Sequence, residues 1–196
     1  MLHPPVTAIR PTSVPALPTS MPGGILYQVK LDGHRVLAFI DRDEVVLQAR
    51  SQRIVTTRFP EILDALATRA PGTVLDGEVI AWREGAFDFP ALAATPKTRQ
   101  HSGIALSYIA FDLLCDRGQD IRDEPLEARW PKLLTTLDGA PTQLQPVLAT
   151  RDRTEAELWM KALAPLGMEG LVCKALLCGS FRSVRCPPAS LAETGV

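Results

Sequence analysis

The chain lacks the long apolar runs and terminal signals that mark membrane and exported proteins. No apolar stretch approaches the roughly 20 residues that a membrane helix needs, and the first residues lack the basic start and apolar centre of a signal peptide. We therefore expect a cytoplasmic protein with no membrane partner. The formal net charge is −1, so any contact with nucleic acid must come from local groups of Arg and Lys.

Several metal-binding and nucleotide-binding patterns are also missing. The cysteines form no CxxC pair and have no histidine cluster beside them, so a zinc site is disfavoured. Cys115 and Cys173 lie in apolar runs, which predicts buried free thiols. Because neither GxGxxG nor GxxxxGK[ST] is present, a Rossmann fold and a P-loop are disfavoured, and any nucleotide must be held in another way.

A chain of 196 residues is long enough for one domain with a hydrophobic core. Its hydrophobic content of 46% is typical of a globular protein. Residues 1–24 are rich in proline and end in Gly23–Gly24. Proline fixes φ and removes a backbone donor, which predicts an extended lead-in lying over the domain. A disordered tail is the alternative.

From residue 25 onward, short strands and helices are mixed without a strict β-α-β order. Strands are predicted at 26–30, 35–40, 44–50, 73–82, 104–115, 144–148 and 170–176. Helices are predicted at 59–66, 89–94, 125–137 and from Asp152 to about residue 166, where Asp152 and Glu155 form a capping box. Lys97–Gly103 is predicted as a basic loop. This pattern favours an α+β fold of largely antiparallel sheets flanked by helices.

The segment Lys30-Leu31-Asp32-Gly33-His34-Arg35 places a lysine at a strand end, before a tight turn. Arg35 then begins the next strand, so we expect its charge to lie close to Lys30 and to lower the lysine pKa. A lysine nucleophile requires such lowering, because its unperturbed pKa is about 10.4. Taken alone, the segment also fits a surface turn with a solvated lysine.

Further segments follow this lysine in a recognisable order: Gln48-Ala49-Arg50, Arg58-Phe59-Pro60-Glu61, Leu75-Asp76-Gly77-Glu78-Val79-Ile80, Ala110-Phe111-Asp112-Leu113-Leu114 and Glu169-Gly170-Leu171-Val172-Cys173-Lys174. Each alone also fits a plain turn or a core strand. Together they resemble the motif series of covalent nucleotidyltransferases, ATP-dependent DNA ligases above all. The resemblance implies an ATP-grasp-like adenylation domain at 25–176.

The same resemblance implies roles for individual side chains. Lys30 would attack the α-phosphate of ATP, keep AMP and release pyrophosphate. Phe111 would stack on adenine and Glu78 would accept a hydrogen bond from the ribose, while Glu169 and Asp32 would hold Mg²⁺. The complete set of implied nucleotide-binding side chains is Gln28, Arg35, Arg50, Glu78, Phe111 and Lys174.

The end of the chain departs from the family. Lys174 is the last lysine, so the family's later Lys-x-Lys motif is missing, and Arg182 or Arg185 is the candidate replacement. Residues 177–196 are predicted to be a divergent tail with no oligonucleotide-binding (OB-fold) domain after it.

Several functions remain open at this point. The first is DNA nick sealing in repair or recombination, on nicked double-stranded DNA, alone or with a separate OB-fold or end-joining chain. The second is a degenerate nucleotide-binding remnant or partner module, and the third is an RNA ligase or capping-type enzyme. Basic side chains that could contact DNA phosphates are Arg50, Arg53, Arg58, Lys97 and Arg99. A solvated face is the alternative for this group, favoured for Arg53 and Lys97.

Overall fold

Two β-sheets form the framework of the computed structural model, which describes residues 2–8, 10–162, 168–179 and 183–186. The strands are β1 Thr12–Ser13, β2 Ile25–Leu31, β3 His34–Ile40, β4 Val45–Ala49, β5 Thr73–Arg83, β6 Ala86–Phe87, β7 Ala105–Asp116, β8 Gln119–Asp120, β9 Leu144–Pro146, β10 Ala149–Thr150, β11 Met168–Ala175 and β12 Ser183–Cys186. The α-helices are α1 Leu63–Ala67, α2 Pro96–His101, α3 Leu126–Leu137 and α4 Arg153–Ala162.

Sheet A has the strand order β1-β12-β11-β2-β10, and sheet B has the order β4-β3-β5-β7-β8. Strand β6 pairs with β5 and β9 pairs with β7 at the sides of sheet B. The pairings are antiparallel except for β1 with β12 and β7 with β9. The predicted α+β fold with largely antiparallel sheets is confirmed. None of the described helices has the length and apolar character needed to cross a membrane.

The larger core lies between one face of sheet B and the helices. Alternate residues of β3, Val36, Ala38 and Ile40, are buried there together with Leu66 of α1 and Leu133 of α3. Alternation along a strand sends every second side chain to the same face. The neighbouring residues of β3 therefore point to the other face of the sheet, toward sheet A and the lead-in.

A tyrosine in sheet B explains why the DGE segment has a glycine at position 77. The Tyr108 hydroxyl lies 2.8 Å from the Val36 carbonyl oxygen and 3.1 Å from that of Leu75. A Cβ at position 77 would lie 2.5 Å from the Tyr108 ring, so Gly77 makes room for the ring to cross β5. A side chain at position 77 would displace the tyrosine from its buried place.

Sheet A has one apolar face and one polar face. Tyr27 and Val29 of β2 pack with Leu171 and Cys173 of β11 and with Ala156 of α4. Because side chains alternate, Gln28 and Lys30 project from the opposite face. Cys115 and Cys173 are buried free thiols, as predicted, and burial raises the pKa of Cys173 to about 12.

Two predicted elements differ in the structure. The helix predicted at 59–66 consists of 3₁₀ turns at Thr56–Arg58 and Pro60–Ile62 followed by the short helix α1. The basic loop predicted at Lys97–Gly103 is wrong, because α2 occupies most of it. The Thr95 hydroxyl accepts from the Thr98 N–H at 3.2 Å and caps this helix. A helix this short has no apolar periodicity, so its cap was the sequence signal that pointed to it.

The termini are described in part. Asp152 caps α4 by accepting from the N–H groups of Thr154 and Glu155 at 2.7 and 3.3 Å, and the end of the predicted helix beyond residue 162 lies outside the described residues. In the lead-in, Val6 is buried and β1 joins sheet A. Within the predicted tail, β12 pairs with β11, whereas Arg182 and residues 187–196 lie outside the described residues.

An ion pair joins helix α3 to sheet B in the interior. Arg129 Nε and Nη2 each lie 3.0 Å from an oxygen of Asp112, and both side chains are buried. Bidentate geometry satisfies both charges, but a buried pair becomes costly when one partner is removed. The pair therefore fixes the position of α3 against β7.

Replacing Arg129 with methionine leaves the buried Asp112 without its guanidinium partner. We expect Arg129→Met to lower the free energy of unfolding by about 3–5 kcal/mol, measured by urea denaturation. Arg122→Met is the matched control, because the Arg122–Asp120 pair is partly exposed. Surface pairs contribute about 1 kcal/mol or less. Equal losses in the two variants would contradict a special role for the buried pair.

Candidate active site

A cavity of about 290 Å³ lies between the polar face of sheet A and the open face of sheet B. Its lining is strongly cationic, with seven basic side chains against three acidic ones. The basic residues are Arg10, Lys30, Arg35, Arg50, Arg129, Lys174 and Arg185, and the acidic residues are Asp76, Glu78 and Asp112. Such an imbalance suits an anionic ligand.

Lys30 lies at the end of β2, half-buried in this cavity, and its amine contacts the carboxylate of Glu169. Burial is the largest cause of a lowered Lys30 pKa, and the charge of Arg185 lowers it further. Glu78 and Asp32 act in the opposite direction and favour the charged amine. The structure thus places the amine where losing a proton is easier than in water.

The lowered pKa was predicted from the sequence, but its expected source was wrong. Arg35 is engaged by Asp76, with Nε 3.0 Å from Oδ1 and Nη2 2.6 Å from Oδ2. The aspartate compensates the guanidinium charge, so Arg35 does not set the pKa of Lys30. Burial dominates, and sequence spacing alone does not reveal how deeply a side chain is buried.

The turn between β2 and β3 packs tightly against β5. A Cβ at position 33 would lie 2.4 Å from the Val79 carbonyl oxygen and 2.7 Å from Glu78 Cγ. Gly33 therefore allows the turn to approach β5 where any side chain would clash. This approach brings the Lys30 region and Glu78 to the same end of the cavity.

Glu78 is the acid with the strongest perturbation in the cavity. Burial raises its pKa from 4.5 to about 7, while the nearby charges of Lys30 and Arg35 oppose the rise. Near neutral pH the carboxyl therefore exchanges between a hydrogen-bond donor and an acceptor. The sequence identified this residue, but the size of the pKa shift follows from its burial.

Phe111 of β7 contacts side chains from both sheets. Its carbonyl oxygen accepts from Gln28 Nε2 at 3.1 Å and from Lys174 Nζ at 2.9 Å, both from sheet A. Lys174 Nζ lies 4.9 Å and the Arg35 guanidinium 5.4 Å from the centre of the Phe111 ring. Gln28 and Lys174, expected with Phe111 around a nucleotide, thus both contact Phe111.

The remaining predicted site residues lie around this group. Arg50 lines the cavity and is exposed. Glu169 lies at a β-bulge between Met168 and Gly170, which directs it toward Lys30. Glu169 and Asp32 are outside the described cavity lining. Across the described ranges, no group of three or more His, Cys, Asp or Glu side chains is arranged to hold a metal.

The basic side chains suggested for DNA contact divide into two classes. Arg53, Arg58 and Lys97 are exposed. Arg99 is fully buried, and the proposal that it contacts DNA is wrong: it binds Glu61 with Nε–Oε1 at 2.8 Å. Its place on the inward side of α2, the helix missing from the prediction, explains the error.

Sequence reasoning missed four residues of the cavity as binding or organising groups: Arg10, Asp76, Asp112 and Arg129. Two of them lay inside the quoted DGE and FDLL segments, but only their neighbours received roles. Arg129 had a signal of its own, since it lies on the buried stripe of α3 with Leu126 and Leu133. A charged residue on an apolar stripe indicates a buried partner.

Comparison with known proteins places the chain in a family. The model of the ATP dependent DNA ligase domain matches residues 5–182. The chain belongs to this family. Within it, the chain is 34% identical to DNA ligase C2 of Mycolicibacterium smegmatis and 31% identical to DNA ligase C of Mycobacterium tuberculosis. These alignments cover 88% and 87% of this chain, and the chain spans 50% of the length of each relative.

The fold agrees with this assignment. The solved structure of mycobacterial DNA ligase D complexed with ATP and MES superposes with a TM-score of 0.66 at 22% identity. The superposition covers 89% of this chain and 60% of that one. The chain therefore has the nucleotidyltransferase fold of ATP-dependent ligases, and its described residues form an adenylation domain of this family.

The pKa of Glu78 has a consequence for stability. Because the folded-state pKa is raised, the folded chain holds the proton more tightly, and the carboxyl costs stability as pH rises from 4.5 to about 7. Relative to Glu78→Gln, we expect the wild-type unfolding free energy to fall by about 3 kcal/mol across this window. Urea denaturation at both ends of the window measures it.

The control for this measurement is Glu84→Gln, which changes an exposed carboxylate in the turn after β5. We expect its difference from wild type to stay constant over the same pH range. A constant difference for Glu78→Gln as well would show that the pKa of Glu78 is not raised in the folded chain.

Proposed function

We propose that Lys30 is the nucleophile of this adenylation domain and that it carries AMP as a covalent lysyl-AMP. One observation supports this most directly: a half-buried lysine with a lowered pKa lies in a cavity lined mainly by cations. A lysine amine attacks only in its uncharged form, and a cationic cavity attracts the polyphosphate of ATP.

In the proposed step the ammonium of Lys30, whose pKa is lowered, first loses a proton to solvent. The nitrogen lone pair then forms a bond to the α-phosphorus of ATP. As this bond forms, the bond from the α-phosphorus to the bridging oxygen breaks, and pyrophosphate leaves with the electron pair. Fixed positive charge around the phosphates stabilises this transfer.

The ion pairs of the cavity indicate which of its basic side chains are available to stabilise the phosphates. Asp76 engages Arg35 and Asp112 engages Arg129, whereas in the described part of the chain Arg10, Arg50 and Arg185 form no ion pair. These three fit phosphate oxygens as ligands.

The base and sugar would be held by other side chains of the same cavity. Phe111 would lie against adenine with Gln28 near its amino group, Glu78 would bind the ribose, and Lys174 would lie by the phosphates. Glu169 and Asp32 would hold Mg²⁺ together with phosphate oxygens, the usual arrangement for this ion. When bound, Mg²⁺ supplies additional positive charge to the transferring phosphate.

We further propose that AMP passes to the 5′-phosphate of nicked double-stranded DNA, in cytoplasmic repair or recombination. The exposed Arg50 and Arg58 are suited to DNA phosphates. The chain spans half the length of the relatives described above, so strand sealing by the whole protein is part of this proposal.

Incubation with ATP labelled at the α-phosphate tests the covalent step. We expect wild-type protein to retain label after denaturation and Lys30→Ala to retain none, because the attacking nitrogen is gone. Lys97→Ala, an exposed lysine on α2, should label like wild type. Absence of label on wild-type protein at every Mg²⁺ concentration would refute self-adenylation.

Transfer from the labelled protein tests the proposed substrate. We expect label to move to the 5′-phosphate of a nicked DNA duplex and to remain on the protein when the nick is flanked by RNA strands. Gel separation of protein and nucleic acid measures both reactions. Preferential transfer to RNA would instead support the RNA ligase alternative.

A further inference from the structure

The lead-in contributes to the wall of the nucleotide cavity. Arg10 and Pro11 are among its lining residues, although both lie well before the motif series that begins at Lys30. The course of the lead-in explains how a segment so distant in sequence reaches this position. It first crosses sheet B and then joins the edge of sheet A.

The first anchor of the lead-in is a side-chain amide. The Val6 N–H donates to Gln48 Oε1 at 2.8 Å, and Gln48 Nε2 donates to the Val6 carbonyl oxygen at 2.7 Å. Gln48 is fully buried, and Val6 packs on Leu37 and Phe39. An amide that satisfies both backbone groups of one residue fixes that residue much as a neighbouring strand would.

The second anchor is a strand pairing. Thr12 and Ser13 of β1 pair in parallel with Val184 and Arg185 of β12, and the Val14 N–H donates to the Arg185 carbonyl oxygen at 2.9 Å. Arg10 therefore lies between two fixed points, Val6 on one side and β1 on the other. The chain is thus held against the domain at Val6, before Arg10, and at Thr12, after it.

The charge of Arg10 has no counterpart in the described part of the chain, where it forms no ion pair. It is exposed and faces a cavity that already holds an excess of cations. Two cations gain nothing from proximity unless an anion lies between them. A guanidinium presents paired donors that match phosphate oxygens.

We propose that Arg10 binds a phosphate group of the nucleotide and that Gln48 is a positioning residue, which holds the lead-in and with it Arg10. The identity of the ligand as ATP rests on the proposed function. Strand β4 would then contribute to the cavity in two ways. Arg50, just beyond its end, lines the cavity, and Gln48 positions the lead-in that carries Arg10.

Equilibrium binding of α,β-methylene-ATP tests Arg10, because this analogue cannot transfer AMP to Lys30. We expect Arg10→Ala to weaken its binding roughly tenfold, the usual loss for one charged hydrogen bond, and to leave adenosine binding unchanged. Arg10→Lys should recover part of the loss. Arg53→Ala, an exposed arginine outside the cavity lining, is the matched control and should bind both ligands like wild type.

The role of Gln48 is tested with Gln48→Met, which keeps the volume but removes both bonds to Val6. We expect it to weaken binding of the analogue, and the double variant with Arg10→Ala to bind no more weakly than Arg10→Ala alone. Because Gln48 is buried, the thermal unfolding midpoint is measured for each variant. Arg10→Ala, at an exposed position, keeps the test decisive if Gln48→Met does not fold.

Unchanged analogue binding by Arg10→Ala would overturn the phosphate role, and fully multiplicative losses in the double variant would overturn the positioning role. These outcomes are separate from failure of the proposed function. A chain that binds the analogue through Arg10 but forms no lysyl-AMP would refute the proposed reaction and leave this inference standing.

Discussion

The carbonyl oxygen of Phe111 is the point on which the site depends. Gln28 and Lys174, from two strands of sheet A, both donate to this one acceptor on sheet B. A buried amide and a buried ammonium are costly without partners, so the two sheets are held in a defined relation at the floor of the cavity. That relation places Lys30, two residues beyond Gln28, beside Glu78.

Some charged side chains of the cavity form ion pairs that stabilise the fold, and others are available to bind a ligand. Asp76 and Asp112 are committed to Arg35 and Arg129, which fixes β3 and α3 relative to the central strands. Among the described residues that line the cavity, the basic side chains without an ion pair lie on the lead-in, just after β4 and on β12. A chain with a net charge of −1 can thus present a strongly positive site, because the distribution of charge matters more than its sum.

Much of this arrangement follows from the sequence, and the exceptions have physical causes. The long strands β5 and β7 were predictable because apolar runs and turn residues define them locally. Helix α2 was not, since a helix of this length has no apolar stripe and depends on the Thr95 cap and on the burial of Arg99. A single cap is a weak local signal, and the stability of so short a helix comes mostly from tertiary packing.

The candidate site, like the fold, could be predicted from the sequence only in part. Motif spacing identified Lys30, Glu78 and Phe111, yet it assigned the lowered Lys30 pKa to Arg35, which Asp76 engages. Arg10 carried no signal at all, because its place in the cavity results from two anchors far apart in sequence. Pairing partners across long separations become visible only in the folded chain.

The most direct test of the central claim is mass spectrometry of the intact protein after incubation with ATP and Mg²⁺, followed by peptide mapping. The account predicts one added adenylyl group per chain, attached through nitrogen to Lys30 and removed by added pyrophosphate, which reverses the step. An unmodified chain, or an adenylyl group mapped to any other residue, would contradict it.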